Sequence, residues 1–319
     1  MKNLFTSTLK GAAVAALLLT PSLLHAQDTV KTKVANLRPY DKSGINVFEP
    51  AKETDAAFDN LKIKVGAGFT QSFQGLKHEN TTTNVNNKLY GLTSGFNTAN
   101  ANLYLDAQLA DGIRLNLTTY LSARHHNETW VKGGYIQFDK LPFKGQFWDE
   151  LMKIATIKVG HMEINYGDAH FRRSDGGHTL YNPFVENYIL DAFTTEIGGE
   201  VYLRKNALFG MVGVSNGMIK GNVDELVATP ADDDTKKSPA LYLKGGYDKQ
   251  LSEKLRVRVA ASYYTNSSSG GQTLFAGDRT GSNYFMAMEK AIATPATATA
   301  PAVKSTYAAQ FTSGRLNPG

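Results

Sequence analysis

An alternation of apolar and polar side chains dominates residues 99–124. Odd positions carry mostly Leu, Ile and Ala, whereas even positions carry mostly Asn, Tyr, Gln, Asp, Thr and Arg. A repeat of two fits a β-strand, because successive side chains of a strand point to opposite faces. Asp111-Gly112 interrupts the repeat, and this pair accepts the positive φ that a tight turn requires. The stretch therefore predicts a hairpin of two long antiparallel strands.

The same repeat recurs along the chain and predicts nine strands in all. Residues 207–215 are apolar on both faces and fit the pattern least well, and residues 139–152 are compatible with a short amphipathic helix. The predicted strands are 61–70, 99–110, 113–124, 130–138, 153–162, 195–204, 207–215, 239–248 and 253–265.

Short and long connections alternate between these strands. Short ones are 110–112, the turn near 205 and 249–254, and long ones include 76–98, 162–193 and 216–238. Short turns at one end and long loops at the other are typical of transmembrane β-barrels. We therefore expect an all-β fold, an antiparallel up-and-down transmembrane barrel with short periplasmic turns and long extracellular loops. A large exported soluble β-sandwich or set of propeller blades is the alternative.

Residues 1–26 have the features of an export signal. Lys2 and Lys10 precede or flank the short apolar core at 11–19, and Leu24-His25-Ala26 is a small-residue cleavage site. We expect the mature chain to contain an N-terminal periplasmic segment at 27–60, which has no sustained repeat, and the barrel at 61–319. No window reaches the roughly 18 consecutive apolar residues of a spanning helix, so a helical membrane protein is excluded.

Composition excludes two further classes. The formal net charge is only +5, and nucleic-acid binding requires a concentrated basic face. The chain has no cysteine, so its stability does not come from disulfides. The stretch 291–305 is rich in Ala, Thr and Pro, and we expect it to be part of a long loop without regular structure.

Three phrases of the sequence resemble one family. VGHMEINYGDAHFRRSDGG, NPFVENYILDAFTTEIGGEVYLR and AGDRTGSNYF are similar to segments of porin-like outer-membrane proteins of Bacteroidota-type bacteria, which are distantly similar to the phosphate-selective porins O and P. The resemblance covers residues 60–319 and implies a barrel fold and an outer-membrane location. It implies no set of functional residues.

The end of the chain departs from that family. Such barrels finish in a strand with a terminal aromatic residue, whereas this chain ends SGRLNPG. Single-chain bacterial barrels also have an even number of strands, and the predicted number here is odd. We therefore expect the barrel to be incomplete at its C-terminus, as part of a larger barrel of at least about 14 to 16 strands.

In a barrel, the polar face of each strand lines the lumen, and the predicted polar faces carry more cations than carboxylates. A ring of Arg and Lys favours anions in a pore. The alternative is that these cations pair with carboxylates across strands, such as Asp106, Glu196 and Glu200. The lumen candidates are Arg114, Arg124, Arg204, Lys244, Arg256 and Arg258, with Lys62 and Lys64 near the start of the first strand.

The stretch GDAHFRRSDGG at 167–177 lies in the long loop 162–193, which is unusually apolar for a loop. We expect the loop to fold into the mouth of the barrel and to present Arg172 and Arg173 to the channel as constriction residues. A phosphate-binding loop is excluded, because the GxxxxGK[ST] pattern is absent.

Two other kinds of chemistry are conceivable in this loop region. A metal site is possible on residue type alone, but no fixed ligand spacing supports it. Ser174 with Asp175 and a histidine resembles a hydrolase site, but no G-x-S-x-G elbow is present. We expect no enzymatic activity, no cofactor and no metal. The metal alternative consists of His161, Glu163, Asp168, His170 and His178.

The sequence thus predicts an outer-membrane porin of a Gram-negative bacterium. Its expected role is a water-filled channel for small hydrophilic solutes, with a weak preference for anions such as phosphate. The alternative is a non-transport barrel whose long loops bind a surface partner or act in adhesion. Expected partners are outer-membrane lipids and small solutes but not nucleic acid, and a homo-oligomer is left open.

Overall fold

The computed structural model describes part of the chain in detail. The described residues are 33–54, 56–84, 88–89, 91–96, 99–121, 129–173, 178, 180–181, 195–217 and 238–267, with the backbone of 288–294 and 303–309. The chain divides into two units, Met1–Lys33 and Val34–Gly319, and every element below belongs to the second. The predicted signal peptide at 1–26 lies outside the described residues.

Within the described residues, nine long strands form one antiparallel sheet. Each of these strands pairs with the long strands that precede and follow it in the chain, so the sheet is a meander. This confirms the nine predicted strands, with small changes at their bounds. The strands are β1 (Lys62–Thr70), β5 (Asn100–Ala110), β6 (Ile113–Leu121), β7 (Trp130–Phe138), β8 (Ala155–Glu163), β9 (Thr195–Lys205), β10 (Leu208–Ser215), β11 (Ala240–Ser252) and β12 (Leu255–Asn266).

Five shorter strands of the described residues lie outside this sheet. The two-residue strands β2 (Phe73–Gln74) and β4 (Gly95–Phe96) pair with each other, and β3 (Lys88–Leu89) joins β13 (Met288–Thr294) and β14 (Val303–Ala309). β13 and β14 extend into 291–305 from its two sides. The prediction of a loop without regular structure is therefore wrong for the residues of these strands, where β-branched Ile, Val and Thr outweigh the loop-like composition.

The predicted turn and helix are both present. Gly112, between β5 and β6, has φ +72°, the conformation that makes Asp-Gly favourable in a tight hairpin. Between β7 and β8 lies α1 (Gln146–Ile154), whose Met152 is buried. This helix is amphipathic and continues directly into β8.

The two faces of the large sheet are inverted relative to those of a water-soluble protein. The face that carries the alternating apolar residues is exposed, with Val259 66% and Val65 62% accessible. The opposite face carries buried polar side chains, among them Asp106, Glu200 and Lys244. We call these the outer and the inner face. β10 follows the same pattern, because Val212 and Val214 are exposed whereas Phe209 and Met211 are buried.

Residues 34–60, here called the N-terminal segment, lie against the inner face. Lys42–Gly44 form a short 3-10 turn, in which the Asp41 carboxylate accepts a hydrogen bond from the Ser43 amide at 2.9 Å. The Tyr40 ring stacks on Tyr104 of β5 at 4.7 Å between ring centroids. A Cβ at Gly66 of β1 would overlap the Tyr40 ring. The glycine therefore makes room for the segment.

The sheet is open in the part of the chain that the structure describes. β1 pairs with β5 and β12 pairs with β11, and among the described residues the two outermost strands have no second neighbour in this sheet. No described helix is both long enough and apolar enough to cross a bilayer.

Candidate functional site

The centre of the inner face is an ionic network around Glu49. This residue belongs to the N-terminal segment, and its side chain is only 4% exposed. One carboxylate oxygen lies 3.0 Å from Lys244 Nζ on β11, and the other lies 2.8 Å from Arg258 Nη2 on β12. Asn165 Nδ2 donates a further hydrogen bond to Glu49 at 3.0 Å. Glu49 thus joins the segment to the last two strands of the sheet.

Two more carboxylates complete the network. Asp168 lies 2.7 Å from Lys244 Nζ and 2.8 Å from Arg258 Nη2. Asp248 on β11 accepts hydrogen bonds from Arg256 at 2.6 Å and from Arg258 at 3.0 Å. Three cations are therefore matched by three carboxylates. A paired geometry of this kind is required when charges are removed from water.

These pairs change the acidity of the groups in the segment and loop. Burial alone raises the pKa of the Glu49 carboxyl, but Lys244, Asn165 and Arg258 together outweigh it, so that the pKa is lowered. Burial also acts on Asp168, and hydrogen bonds from Arg258 and Lys244 nevertheless hold its pKa far below the usual range. Burial, with help from Lys244 and Arg38, lowers the pKa of His170 well below its ordinary value. His170 is therefore neutral at pH 7.

A second ionic contact lies nearer the β7–β8 connection. Arg114 on β6 pairs with Asp139, and the side chains of both are almost fully buried. Gln137 donates a hydrogen bond to the same carboxylate at 3.1 Å. In the N-terminal segment, Lys52 Nζ donates to the backbone carbonyls of Asp139 at 2.7 Å, Met152 and Ala155. Lys52 therefore links the segment to both ends of the β7–β8 connection, which contains α1.

The two adjacent arginines of GDAHFRRSDGG point to different surroundings. Ala169–Arg172 form a 3-10 turn. Arg173, which follows it, is buried and pairs with Glu163 of β8 at 2.8 Å. Arg172 is exposed, and its guanidinium lies 5.3 Å from the centroid of the Phe48 ring. Residues 164–173 of this loop contact the inner face and the segment, and the folding of the loop into the mouth of a barrel stays a prediction.

The remaining lumen candidates lie on the inner face wherever they are described. Arg114, Lys244, Arg256 and Arg258 pair with carboxylates, as in the alternative drawn from the sequence, whereas Arg204 donates to the backbone carbonyl of Glu49. Arg124 lies outside the described residues, as does the apolar part of the loop at 184–193. Whether the described cations line a channel is part of the function proposed below.

A cavity of about 210 Å³ lies between the N-terminal segment and the inner face. Lys158 of β8 enters it between Tyr135 and Tyr202, with Nζ 4.7 and 4.8 Å from the two ring centroids. Glu200 of β9 faces the same space and accepts hydrogen bonds from the Asn165 amide at 2.8 Å and from the Tyr242 hydroxyl at 3.1 Å. Aromatic walls with a few charged groups are typical of sites for small polar molecules.

His170 Nδ1 lies 3.9 Å from Glu163 Oε2, but the other residues of the metal alternative do not join these two as a set of ligands. Asp168 pairs with Lys244 and Arg258, while His170 contacts Asn165 Oδ1 at 3.0 Å. Within the described ranges, no three His, Asp or Glu side chains are grouped so that they could hold a metal ion. Ser174 and Asp175 of the hydrolase alternative lie outside those ranges.

Sequence reasoning missed the N-terminal partners of the network. Glu49, Lys52 and Arg38 lie in a segment without a repeat, and Arg38 donates to the carbonyls of Val47, Gly44 and Phe171 at 2.5 to 2.6 Å. One signal was available in the strands. β11 and β12 together carry more cations than carboxylates on their inner face, so a counter-charge had to come from elsewhere in the chain.

The arrangement as a whole is an ion-paired interface between the segment and the sheet, with a polar cavity beside it. It places charged and aromatic groups around a cavity on the inner face of a sheet whose other face is apolar. Searches against protein-family models, curated proteins and solved structures found no match to this chain.

Proposed function

We propose that this chain forms the wall of an outer-membrane β-barrel that acts as a passive channel for small hydrophilic solutes. The observation that carries the proposal is the inverted sheet, which exposes its apolar face and buries its ionic face. Exposed apolar patches on soluble monomers rarely exceed a few hundred Å². Here the apolar residues recur on the outer face of all nine long strands. Lipid is the environment in which such a face is stable.

Strand length supports the same proposal. β5 and β9 have 11 residues each and β12 has 12, whereas a tilted strand needs about 9 to 11 residues to cross a bilayer. A bilayer leaves no water for the amides of an open edge. The proposal therefore requires the free edges of β1 and β12 to be paired in the membrane, by further strands or by another copy of the chain.

The proposal includes a preference for anions. It is supported by the cations of the inner face and of the loop, including Lys158, Arg172 and Arg204. It is limited by the pairing of Lys244, Arg256 and Arg258 with carboxylates. We therefore propose only a modest anion preference, with phosphate as one of several permeant anions.

The second candidate is a barrel that does not transport. It is favoured by one observation, the close packing of the N-terminal segment and of residues 164–173 against the inner face, which fills part of the interior. In this case the long loops would bind a surface partner.

Planar-bilayer recording separates the two candidates. Discrete ohmic current steps, with a reversal potential shifted toward that of the anion in a salt gradient, are expected for the channel. A protein that is heat-modifiable and protease-resistant in the bilayer but electrically silent would overturn the channel and support the second candidate. A protein that stays soluble and monomeric without detergent would overturn both.

A further inference from the structure

Three aromatic side chains cluster where the helix α1 begins. Phe143 and Phe147 both contact Trp148, whose ring centroid lies 5.0 Å from that of Phe143 and 5.1 Å from that of Phe147. Phe147 is 68% exposed and Phe143 55%. Two largely exposed phenylalanines beside a tryptophan are an unfavourable surface in water. We call these three residues the aromatic cluster.

The cluster lies at the short-turn end of the large sheet. α1 contacts β8 and β9, and Ala155, directly after the helix, pairs with Leu203 of β9. Leu203 belongs to the apolar outer face and is 45% exposed. The helix is therefore next to the end of the outer face, close to the β9–β10 turn.

The helix is fixed in this position from the inner side. Met152 is buried, and Lys52 Nζ donates to the carbonyls of Met152 and Ala155 at the end of the helix. Since these contacts hold one side of α1 against the N-terminal segment, Phe143 and Phe147 stay on the surface. The exposure of the cluster is thus built into the fold.

Lysines surround the cluster. Lys140, Lys144 and Lys153 are exposed on the same connection, where Lys140 pairs with Asp111 at 2.7 Å and Lys153 with Glu150 at 2.5 Å. Aromatic rings with lysines beside them are the side chains that settle at the boundary between acyl chains and headgroups. At such a boundary aromatic rings generally enter the upper acyl region, while lysine ammonium groups reach the phosphates.

We propose that the aromatic cluster is an interfacial anchor, inserted into the headgroup region of the leaflet on the short-turn side. Its occupant is phospholipid. The proposal rests on the membrane function proposed above, since it places the sheet in a bilayer. It adds a lipid contact that is made by a helix and not by a strand.

Tryptophan fluorescence tests the anchor, because the chain contains only Trp130 and Trp148. In the Trp130→Phe variant, Trp148 is the sole reporter. Folded into vesicles of brominated phosphatidylcholines, it is expected to show blue-shifted emission and its greatest loss of intensity with bromine close to the headgroup. A control reporter, Val212→Trp with both natural tryptophans changed to Phe, lies in the middle of the outer face and should lose most intensity with bromine deep in the acyl chain.

The outcomes separate the two proposals. If Val212→Trp is quenched but Trp148 is not, the anchor is wrong and the membrane-facing sheet stands. If neither reporter is quenched in folded protein, the proposed function itself is wrong. A Phe143→Ser/Phe147→Ser variant supplies an independent measurement, since it should lower the yield of folding into vesicles while leaving Val212→Trp quenching unchanged in the protein that does fold. An unchanged yield would contradict the anchor.

Discussion

At the scale of single residues, Glu49 has the most consequential position. It is a buried carboxylate of the N-terminal segment that contacts both Lys244 and Arg258. Removing one partner of a buried ion pair leaves the other partner charged, buried and without a counter-charge or water around it. A substitution of Glu49 therefore breaks two ion pairs at once.

Glu49→Gln is expected to lower the free energy of unfolding by about 3 kcal/mol, at the low end for a broken buried pair because Asp168 still accepts from both cations. Urea titration of protein folded in vesicles measures the loss. Glu53→Gln is the matched control, since Glu53 is exposed, and exposed substitutions usually change stability by less than about 0.5 kcal/mol. Equal losses in the two variants would contradict the role of Glu49.

The lowered pKa of Glu49 also predicts how stability depends on pH. A carboxyl whose pKa is lower in the folded than in the unfolded chain contributes stability above its unfolded pKa, and this contribution is lost as the pH falls through the folded value. The free energy of unfolding should therefore decrease as the pH is lowered below the ordinary Glu value of 4.5. Asp168, with a lowered pKa of its own, continues the decline at lower pH.

Unfolding titrations between pH 3 and pH 7 in the wild type and in Glu49→Gln measure this effect, with the pH range chosen around the ordinary carboxyl pKa of about 4. The variant should show a shallower decline, because one of the linked protons has been removed. The same slope in both proteins would show that Glu49 is not linked to folding.

At the scale of elements, the N-terminal segment decides how much of the inner face is open. It is attached through Glu49, through Lys52 and through backbone carbonyls that accept from Arg204 and Arg256. The described contacts that hold it are made through side chains of the segment, of the sheet and of the loop that contains Asn165, and among the described residues no strand pairs with it. Such an element can be displaced without breaking the sheet.

Glu49→Lys is expected to displace the segment, because it puts a third cation beside Lys244 and Arg258. In the proposed channel, single-channel conductance should then rise, because displacement of the segment widens the water-filled cross-section of the channel. Glu53→Lys is the control for added charge alone. Folding of each variant is checked by heat modifiability, and a folded Glu49→Lys channel with wild-type conductance would show that the segment does not narrow the path.

At the scale of the whole molecule, the apolar outer face and the ionic inner face of the sheet predict which substitutions the proposed membrane protein tolerates. An arginine on a lipid-facing strand costs about 2 to 4 kcal/mol at the midplane of a bilayer and about 0 to 1 near its surface. Val212 lies in the middle of β10, whereas Leu255 begins β12 beside a turn, and both are exposed.

Val212→Arg should therefore reduce the stability of the vesicle-folded protein clearly more than Leu255→Arg does. Equilibrium folding in urea with lipid vesicles gives both values. In a soluble sheet the two substitutions would have similar, small effects. That result would remove the membrane assignment on which the proposed function depends.

The strands were predictable from sequence because each one carries its own signal. The alternation in 99–124 with Asp111-Gly112 required nothing beyond its own residues, and the structure confirms the hairpin. The position of the N-terminal segment against the inner face had no such local signal. Arg38, Glu49 and Lys52 find partners on distant strands and connections, and a segment without a repeat does not reveal which face it will cover. The pairing of Arg173 with Glu163 likewise depends on the 3-10 turn that precedes it.

The attachment of the N-terminal segment also sets an order of assembly. Asn46 and Glu49 bond to Arg256 and Arg258, which follow them by 210 and 209 residues along the chain. The segment is synthesised first, yet the cations that pair with it are in place only after β11 and β12 have been added to the sheet. The inner face must therefore be in contact with water when the sheet forms, and the segment docks against it afterwards. Docking of the segment is therefore expected to be the rate-limiting final step of folding. Substitution of Arg258 should make this step slower.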